Sequence, residues 1–360
     1  MRSNPLAIFA LVFLSLVALL APALAQSDPQ TQIVQNWLGS GHADATSPAF
    51  THWDDEGEIP GTCARCHAGQ GFRDFYGLDG SAIGSIDHPV QTGGVVDCDT
   101  CHVEGVREIA TVAFPSGAEI SISGNTATCS TCHQGRGSGL SVVSAVAERD
   151  EDTIDPELSF INPHYAVAAA IQLGAEVQGA YEYPGKAYAS RFGHVPPASE
   201  CIDCHDPHSS LVQAETCVGC HETDDPTAIR TSEIDFDGNG NADEGMASEI
   251  ASLHARLMET MVAYSREVSG QGLVYDGGRY PYFFADADAD GVPDTTEDGG
   301  VVRFAGWTPR LLKAAYNYKF IASDPGAYVH NPHYAAQVLY DSIESLSDPL
   351  GRDMTGLARP

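Results

Sequence analysis

All ten cysteines of the 360-residue chain fall into five copies of one pentapeptide. They are Cys63-Ala64-Arg65-Cys66-His67, Cys98-Asp99-Thr100-Cys101-His102, Cys129-Ser130-Thr131-Cys132-His133, Cys201-Ile202-Asp203-Cys204-His205 and Cys217-Val218-Gly219-Cys220-His221. Two thiols three positions apart, followed at once by a histidine, allow a haem to be attached through both vinyl groups while the imidazole reaches its iron. A disulfide framework needs neither the fixed gap nor the histidine, and a zinc ribbon does not repeat that histidine five times. The spacing therefore predicts five covalently bound haem c groups, with His67, His102, His133, His205 and His221 as proximal iron ligands.

What each iron then does depends on its sixth position. A second imidazole saturates the metal and makes an electron carrier, whereas an open position permits substrate chemistry. Fourteen histidines less the five of the motifs leave nine: His42, His52, His88, His164, His194, His208, His254, His330 and His333. Methionine is scarce, and beyond Met1 it occurs only at Met246, Met258, Met261 and Met354, past the last motif. The count favours bis-histidine ligation. His208 follows Cys204-His205-Asp206-Pro207 so closely that it suits a neighbouring haem better than its own. His164 and His333 share the string Asn-Pro-His-Tyr-Ala, where proline opens a helix and presents a side chain from its first turn. His42 and His52 precede the first motif, and His194 sits in a loop before Pro196-Pro197. The distal candidates are accordingly His42, His52, His164, His194, His208 and His330, ahead of His88, His254 and His333; a solvated surface imidazole is the alternative reading of each.

Two acidic runs suggest a second kind of metal. Asp286, Asp288, Asp290, Val292 through its carbonyl, Asp294 and Glu297, with Gly291 at the sharp turn, match the twelve-position calcium loop of an EF-hand. Asp235, Asp237, Asn239 and Asn241 repeat the pattern around Gly240, but position 12 is Met246, and Glu244 is placed to close the site from position 10. One or two calcium ions are expected, acting as structural clips.

These groups need elements to hold them. Three motifs lie in residues 26–150 and two in 151–230, while 231–360 carries no motif and forms a C-terminal helical region with the two acidic loops. Helical periodicity is clearest over Ile161–Leu173, Ser248–Val268, Pro309–Ile321 and His333–Leu346. In the second of these, Ile250, Leu253, Leu257, Met261 and Val262 read as a core-facing stripe, and packing of that stripe around His254 is the alternative to ligation there. Ser323-Asp324-Pro325-Gly326 marks a turn between the last two helices. Alternation over Ile109–Ser123 predicts a β-hairpin. The expected fold is mainly α with few strands and much irregular loop, a multihaem cytochrome c architecture organised around stacked haems.

Lys plus Arg is 18 against 49 for Asp plus Glu, a formal net charge of -31, and only Lys186, Lys313 and Lys319 are lysines. So acidic a chain repels phosphate backbones and anionic headgroups, which argues against nucleic-acid or membrane-surface partners. Residues 1–25, with Arg2, the apolar Leu6 to Leu20 stretch and Ala23-Leu24-Ala25, read as a secretory signal peptide removed before Gln26. Nothing later is long and apolar enough to span a bilayer. The mature chain is expected to be exported, periplasmic or extracellular, where haem attachment takes place.

The five motifs, the doubled element Cys204-His205-Asp206-Pro207-His208, the string Thr131-Cys132-His133-Gln134-Gly135-Arg136 and the late Ala327-Tyr328-Val329-His330-Asn331 together resemble exported bacterial multihaem cytochromes c of the doubled-CxxCH type. The resemblance spans nearly the whole mature chain. It implies an electron carrier working with a redox partner protein or an extracellular acceptor. It also raises His330, because a His-Asn pair at a late helix start often supplies a distal ligand in such proteins. Pentahaem nitrite reductases are the nearest enzyme comparison, but their catalytic haem typically has Lys in place of the motif histidine, and all five motifs here end in His. Reduction of a small oxyanion or nitrogen compound at one open haem, and assembly as a subunit of an extracellular cytochrome homopolymer, are the alternative readings.

Overall fold

The computed structural model describes residues 28–360 apart from Ser123 and Pro197; the expected signal peptide at residues 1–25 lies outside the described residues. Among the described residues the chain is mainly α, with three two-stranded antiparallel ladders and long irregular connections. Three long helices, Met246–Glu267, Pro309–Ala322 and Pro332–Leu350, form where the apolar periodicity is strong, and they pack on one another. Along the first, Met246, Ile250, Leu253, Leu257, Met261 and Tyr264 recur every three or four residues and are all buried. The second is buried almost all round and is the central strut; Thr308 starts it by accepting the Leu311 N–H at 3.2 Å, ahead of Pro309 in the first turn. Asn331 caps the third, accepting the Tyr334 N–H at 3.1 Å, and Gly351 at φ +61° closes it.

One apolar core links these helices to the cysteine-rich half of the chain. Phe72, Val112, Phe114, Val142 and Ile171 belong to the same cluster as Leu257 and Tyr316, while Ile59, Ala64, Ala68 and Val90 form a smaller one. Each Cys-x-x-Cys string lies on a short helix: Gly61–His67, Cys98–His102, Gly124–Cys132, Cys201–Cys204 and Glu215–His221. A helical turn puts positions i, i+3 and i+4 on one face, so both thiols are turned to the same side.

The hairpin expected over Ile109–Ser123 is present as Thr111–Ala113 paired with Glu119–Ser121, in the register Val112 opposite Ile120. The helix expected over Ile161–Leu173 is shorter, and only Ala168–Leu173 is helical. The carbonyl of Pro163 is taken by the N–H of Arg136 at 2.9 Å, and His164 and Ala166 adopt positive φ of 78° and 55°. A long-range hydrogen bond thus replaces the helical one that periodicity alone would favour. Among the described residues no helix is long and apolar enough to cross a membrane.

Asn317 joins the central helix to an otherwise irregular segment. Wholly buried, it accepts the Tyr181 N–H at 2.7 Å and donates to the Tyr181 carbonyl at 2.9 Å and to Ser342 Oγ at 3.0 Å. Replacing it by Leu leaves both backbone groups of Tyr181 without partners, and is expected to cost about 2–4 kcal/mol. Denaturant unfolding of the Asn317→Leu variant beside the parent checks this, and equal midpoints would refute it.

Candidate haem-binding histidine pairs

The ten cysteines form no disulfide with one another. Cys66 Sγ lies 3.5 Å from the Thr131 carbonyl and Cys132 Sγ 3.8 Å from that of Arg65, which puts the first motif against the third. The motif helices Gly124–Cys132 and Cys201–Cys204 also pack together, joining the third motif to the fourth. Cys98, Cys101 and Cys220 are exposed, so the second and fifth motifs open to the surface.

Four motif imidazoles each face a second imidazole brought from a distant part of the chain. Ring centroids are 5.9 Å apart for His67 and His164, 6.2 Å for His102 and His208, 6.3 Å for His133 and His42, and 6.3 Å for His205 and His330. Two metal–nitrogen bonds of about 2 Å, plus half an imidazole ring on each side, put ligand centroids roughly 6 Å apart across one metal ion. The four gaps therefore fit an iron held between two imidazoles. His208 faces His102 of the second motif rather than His205 three positions before it. His221 has no ring at such a separation among the described residues; the imidazole whose charge reaches it is that of His194, which rests edge-on against Phe192.

Several rings are also oriented and kept in the form a metal needs. Nδ1 of His67 lies 2.6 Å from the Ala49 carbonyl, to which a neutral ring donates, leaving Nε2 free. Burial lowers the pKa of His133 to about 4, assisted by the neighbouring His42, and that of His164 to about 4, assisted by His67. His42, His67 and His194 are lowered by burial as well. Neutral imidazole is the ligating form, so these environments favour metal over proton. His330 behaves differently: burial works against its charge, but its 2.7 Å bond to Asp324 Oδ2 and the charge of that carboxylate outweigh burial and raise it.

The remaining histidines stand apart. His52 packs edge-on against Trp53, which in turn lies against His67, and it faces no motif imidazole. His88 is half exposed beside Asp74 and Asp87, and His333 is exposed. His254 is a core residue, stacked at 3.8 Å on Tyr318 with Nε2 2.9 Å from the Tyr318 carbonyl.

In the later acidic loop, carboxylate oxygens of Asp286, Asp288 and Asp290 lie within 4.8 Å of one another. Asp290 Oδ1 accepts the Val292 N–H at 2.8 Å, Asp294 accepts that of Ala287 at 3.0 Å, and Glu297 is exposed outside the group. Arg266 approaches Asp286 at 3.4 Å. In the earlier loop Asp235 accepts from Gly238 and Gly240, both at 2.7 Å, Asp237 accepts from Asn239, and Asn241 accepts the Asp243 N–H at 3.2 Å. The third carboxylate there is Glu249, not Glu244, which is bonded to Asn239. Glu249 is wholly buried, accepting the N–H groups of Phe236 and Asp237 and an Arg230 bond at 2.6 Å. Its place on a helix outside the twelve-position pattern hid it from sequence reading; an acid on the buried stripe of Met246–Glu267 was the available signal.

Over 93% of its length the chain is 26% identical to the C-type polyheme cytochrome OmcC of Geobacter sulfurreducens. Over 87% it is 25% identical to the C-type polyheme cytochrome OmcB of two strains of that organism. This similarity supports a multihaem c-type cytochrome. The chain spans about half the length of these curated relatives, 49% of OmcC and 47% of OmcB. No family model matches it, and no solved structure does.

The third motif is locked to the segment that carries His164. Gly135 has φ +74°, and a Cβ there would lie 2.6 Å from the Pro163 carbonyl oxygen. Any larger residue must both adopt a left-handed backbone and displace Pro163. Gly135→Ala is expected to lose about 1–3 kcal/mol of stability. Thermal melting of the haem-loaded variant measures this, and an unchanged midpoint would show that the contact carries no constraint.

Proposed function

We propose that this chain is an exported electron-transfer protein carrying five haem c groups, each held by a motif histidine and a second imidazole. The pairs are His67 with His164, His102 with His208, His133 with His42, His205 with His330, and His221 with His194. The observation that carries the reading is the recurrence of one imidazole separation, 5.9 to 6.3 Å, at four of the five motifs. His52 is left out because its ring packs on Trp53, and His67, the motif imidazole that its charge reaches, already faces His164. When bound, haem supplies one-electron exchange between ferrous and ferric iron. The chain contributes two thioether cysteines and two ring nitrogens per site, the burial that excludes water, and hydrogen bonds that hold the rings.

Adjacency of the first, third and fourth motifs supports a continuous run of cofactors, with the second and fifth at exposed positions where electrons enter or leave. A surface of net charge -31 favours a basic redox protein or a cationic acceptor as partner. Reduction of a small oxyanion or nitrogen compound at an open haem is favoured by one observation, the absence of a close second ring at His221 among the described residues.

Electron paramagnetic resonance of the purified ferric protein separates these readings. Five low-spin haems per chain are expected, and His208→Ala should convert one of them to high spin. A high-spin haem in the parent protein that disappears in no distal variant would support the open site, and an unaltered spectrum of His208→Ala would remove His208 from the ligand set.

Calcium binding by the two acidic loops belongs to the same proposal, as clips that fasten residues 235–244 and 286–297 to the C-terminal helices. An ion at a hundred times its dissociation constant stabilises the folded state by about 2.7 kcal/mol. The melting temperature should therefore rise on adding calcium to chelator-treated protein. Asp286→Ala should reduce that rise, and identical melting with and without calcium would refute the clips.

A further inference from the structure

Two buried charges of opposite sign stand beside two of the histidine pairs. Asp324 is 6% exposed, and its Oδ2 lies 2.7 Å from Nδ1 of His330. Its other oxygen accepts the Gly326 N–H at 3.0 Å, which fixes the carboxylate in place. Gly326 is required for this contact, because a Cβ there would meet His330 Cε1 at 2.7 Å. No other imidazole of the four close pairs is bonded to a carboxylate among the described residues.

Lys319 is the opposite case. It is 4% exposed, and its ammonium lies 4.5 Å from the centre of the Tyr282 ring and 5.1 Å from that of Tyr165, the residue that follows His164. Lys186 and Lys313 both pair with carboxylates, whereas Lys319 pairs with none among the described residues. Two aromatic faces cradle the cation instead. The other basic groups near the His67 and His164 pair are His52 and the exposed Arg136.

Resting on the bis-histidine reading above, we infer that Asp324 and Lys319 are potential-setting residues that make the haem between His205 and His330 easier to oxidise than the haem between His67 and His164. Reduction adds negative charge at the iron. A hydrogen-bonded carboxylate strengthens imidazole as a donor and favours the ferric state, whereas a nearby buried cation favours the ferrous state. Both effects are strengthened by burial, since low-dielectric surroundings screen them little. With the first, third and fourth motifs adjacent, the bias directs electrons from the His330 end of the run towards the His164 end.

Potentiometric titration of the haem-loaded protein, followed by electron paramagnetic resonance, tests this. The pairs differ in the angle between ring planes, 34° for His205 and His330 against 69° for His67 and His164, which helps to tell their low-spin signals apart. Asp324→Asn should raise one midpoint, changing that haem's oxidised-to-reduced ratio at fixed potential by about tenfold, or ~59 mV for a one-electron couple. Lys319→Met should lower the midpoint of a different haem by a similar factor, and Lys319→Arg should restore it. Intact low-spin signals with no shift, with reversed signs, or with both variants moving the same haem would overturn the inference. High-spin signals from these haems in the parent protein would instead overturn the ligation reading. Should Asp324→Asn load fewer haems, Lys319→Met decides alone, and an unmoved midpoint there refutes the role of the buried charges.

Discussion

The packing on which the rest of the structure turns is the one that brings four motif imidazoles to within 5.9 to 6.3 Å of a second imidazole each. That spacing is a stricter requirement than apolar packing. A core tolerates a shifted methyl group, whereas two rings an ångström further apart would no longer span one metal ion. The chain meets it with local rigidity on one side of each pair and long-range anchoring on the other. Motif histidines lie on, or directly after, the short helices that carry the thiols. Their partners come from segments fixed elsewhere: His164 by the Pro163 carbonyl bound to Arg136, and His330 by Asp324 and the capped helix that follows it.

The three long C-terminal helices serve that anchoring. Pro309–Ala322 is buried nearly all round and sends Lys319 to the Tyr165 side and Asn317 to the Tyr181 segment. Pro332–Leu350 begins at Asn331, whose side chain also donates to the Ser190 carbonyl at 2.9 Å and so ties the long irregular stretch before the fourth motif. A region without any haem motif is thus what positions the loops between the motifs. Helices supply stiffness cheaply because their own hydrogen bonds are local, and short motif helices lack that reserve.

Much of this was legible from residue spacing, and the exceptions have physical causes. The fixed intervals of cysteine and histidine point to haem attachment, a reading that the similarity to polyheme c-type cytochromes supports. Helices at 246–267, 309–322 and 332–350 were readable because burial on one face imposes a period near 3.6. Which imidazole faces which motif was not readable, since each partner lies far along the chain and local chemistry ranks His52 no lower than His42. Only tertiary structure shows Trp53 beside the one and His133 opposite the other. The Asn-Pro-His-Tyr-Ala echo misled for the same reason: at His164 a distant N–H captures the Pro163 carbonyl and the segment stays irregular, whereas at His333 the same string opens a helix. Glu249 escaped notice because a partner supplied by a following helix obeys no loop template.

The acidity of the chain has a structural side that composition alone does not reveal. The long irregular connections between the helices leave many backbone N–H groups without ladder or helix partners, and those groups must be satisfied. Aspartates supply the acceptors here. Asp44, Asp79, Asp150, Asp206, Asp225, Asp276 and Asp353 each accept an N–H two residues further on. Several are held below the usual carboxylate range by those bonds and by a following hydroxyl, as at Asp44, Asp225 and Asp353 with their threonines. Turns made in this way need a charged oxygen where a regular fold would use a carbonyl. Part of the negative charge is therefore an internal consequence of long irregular connections, and it would be present whatever partner the surface meets.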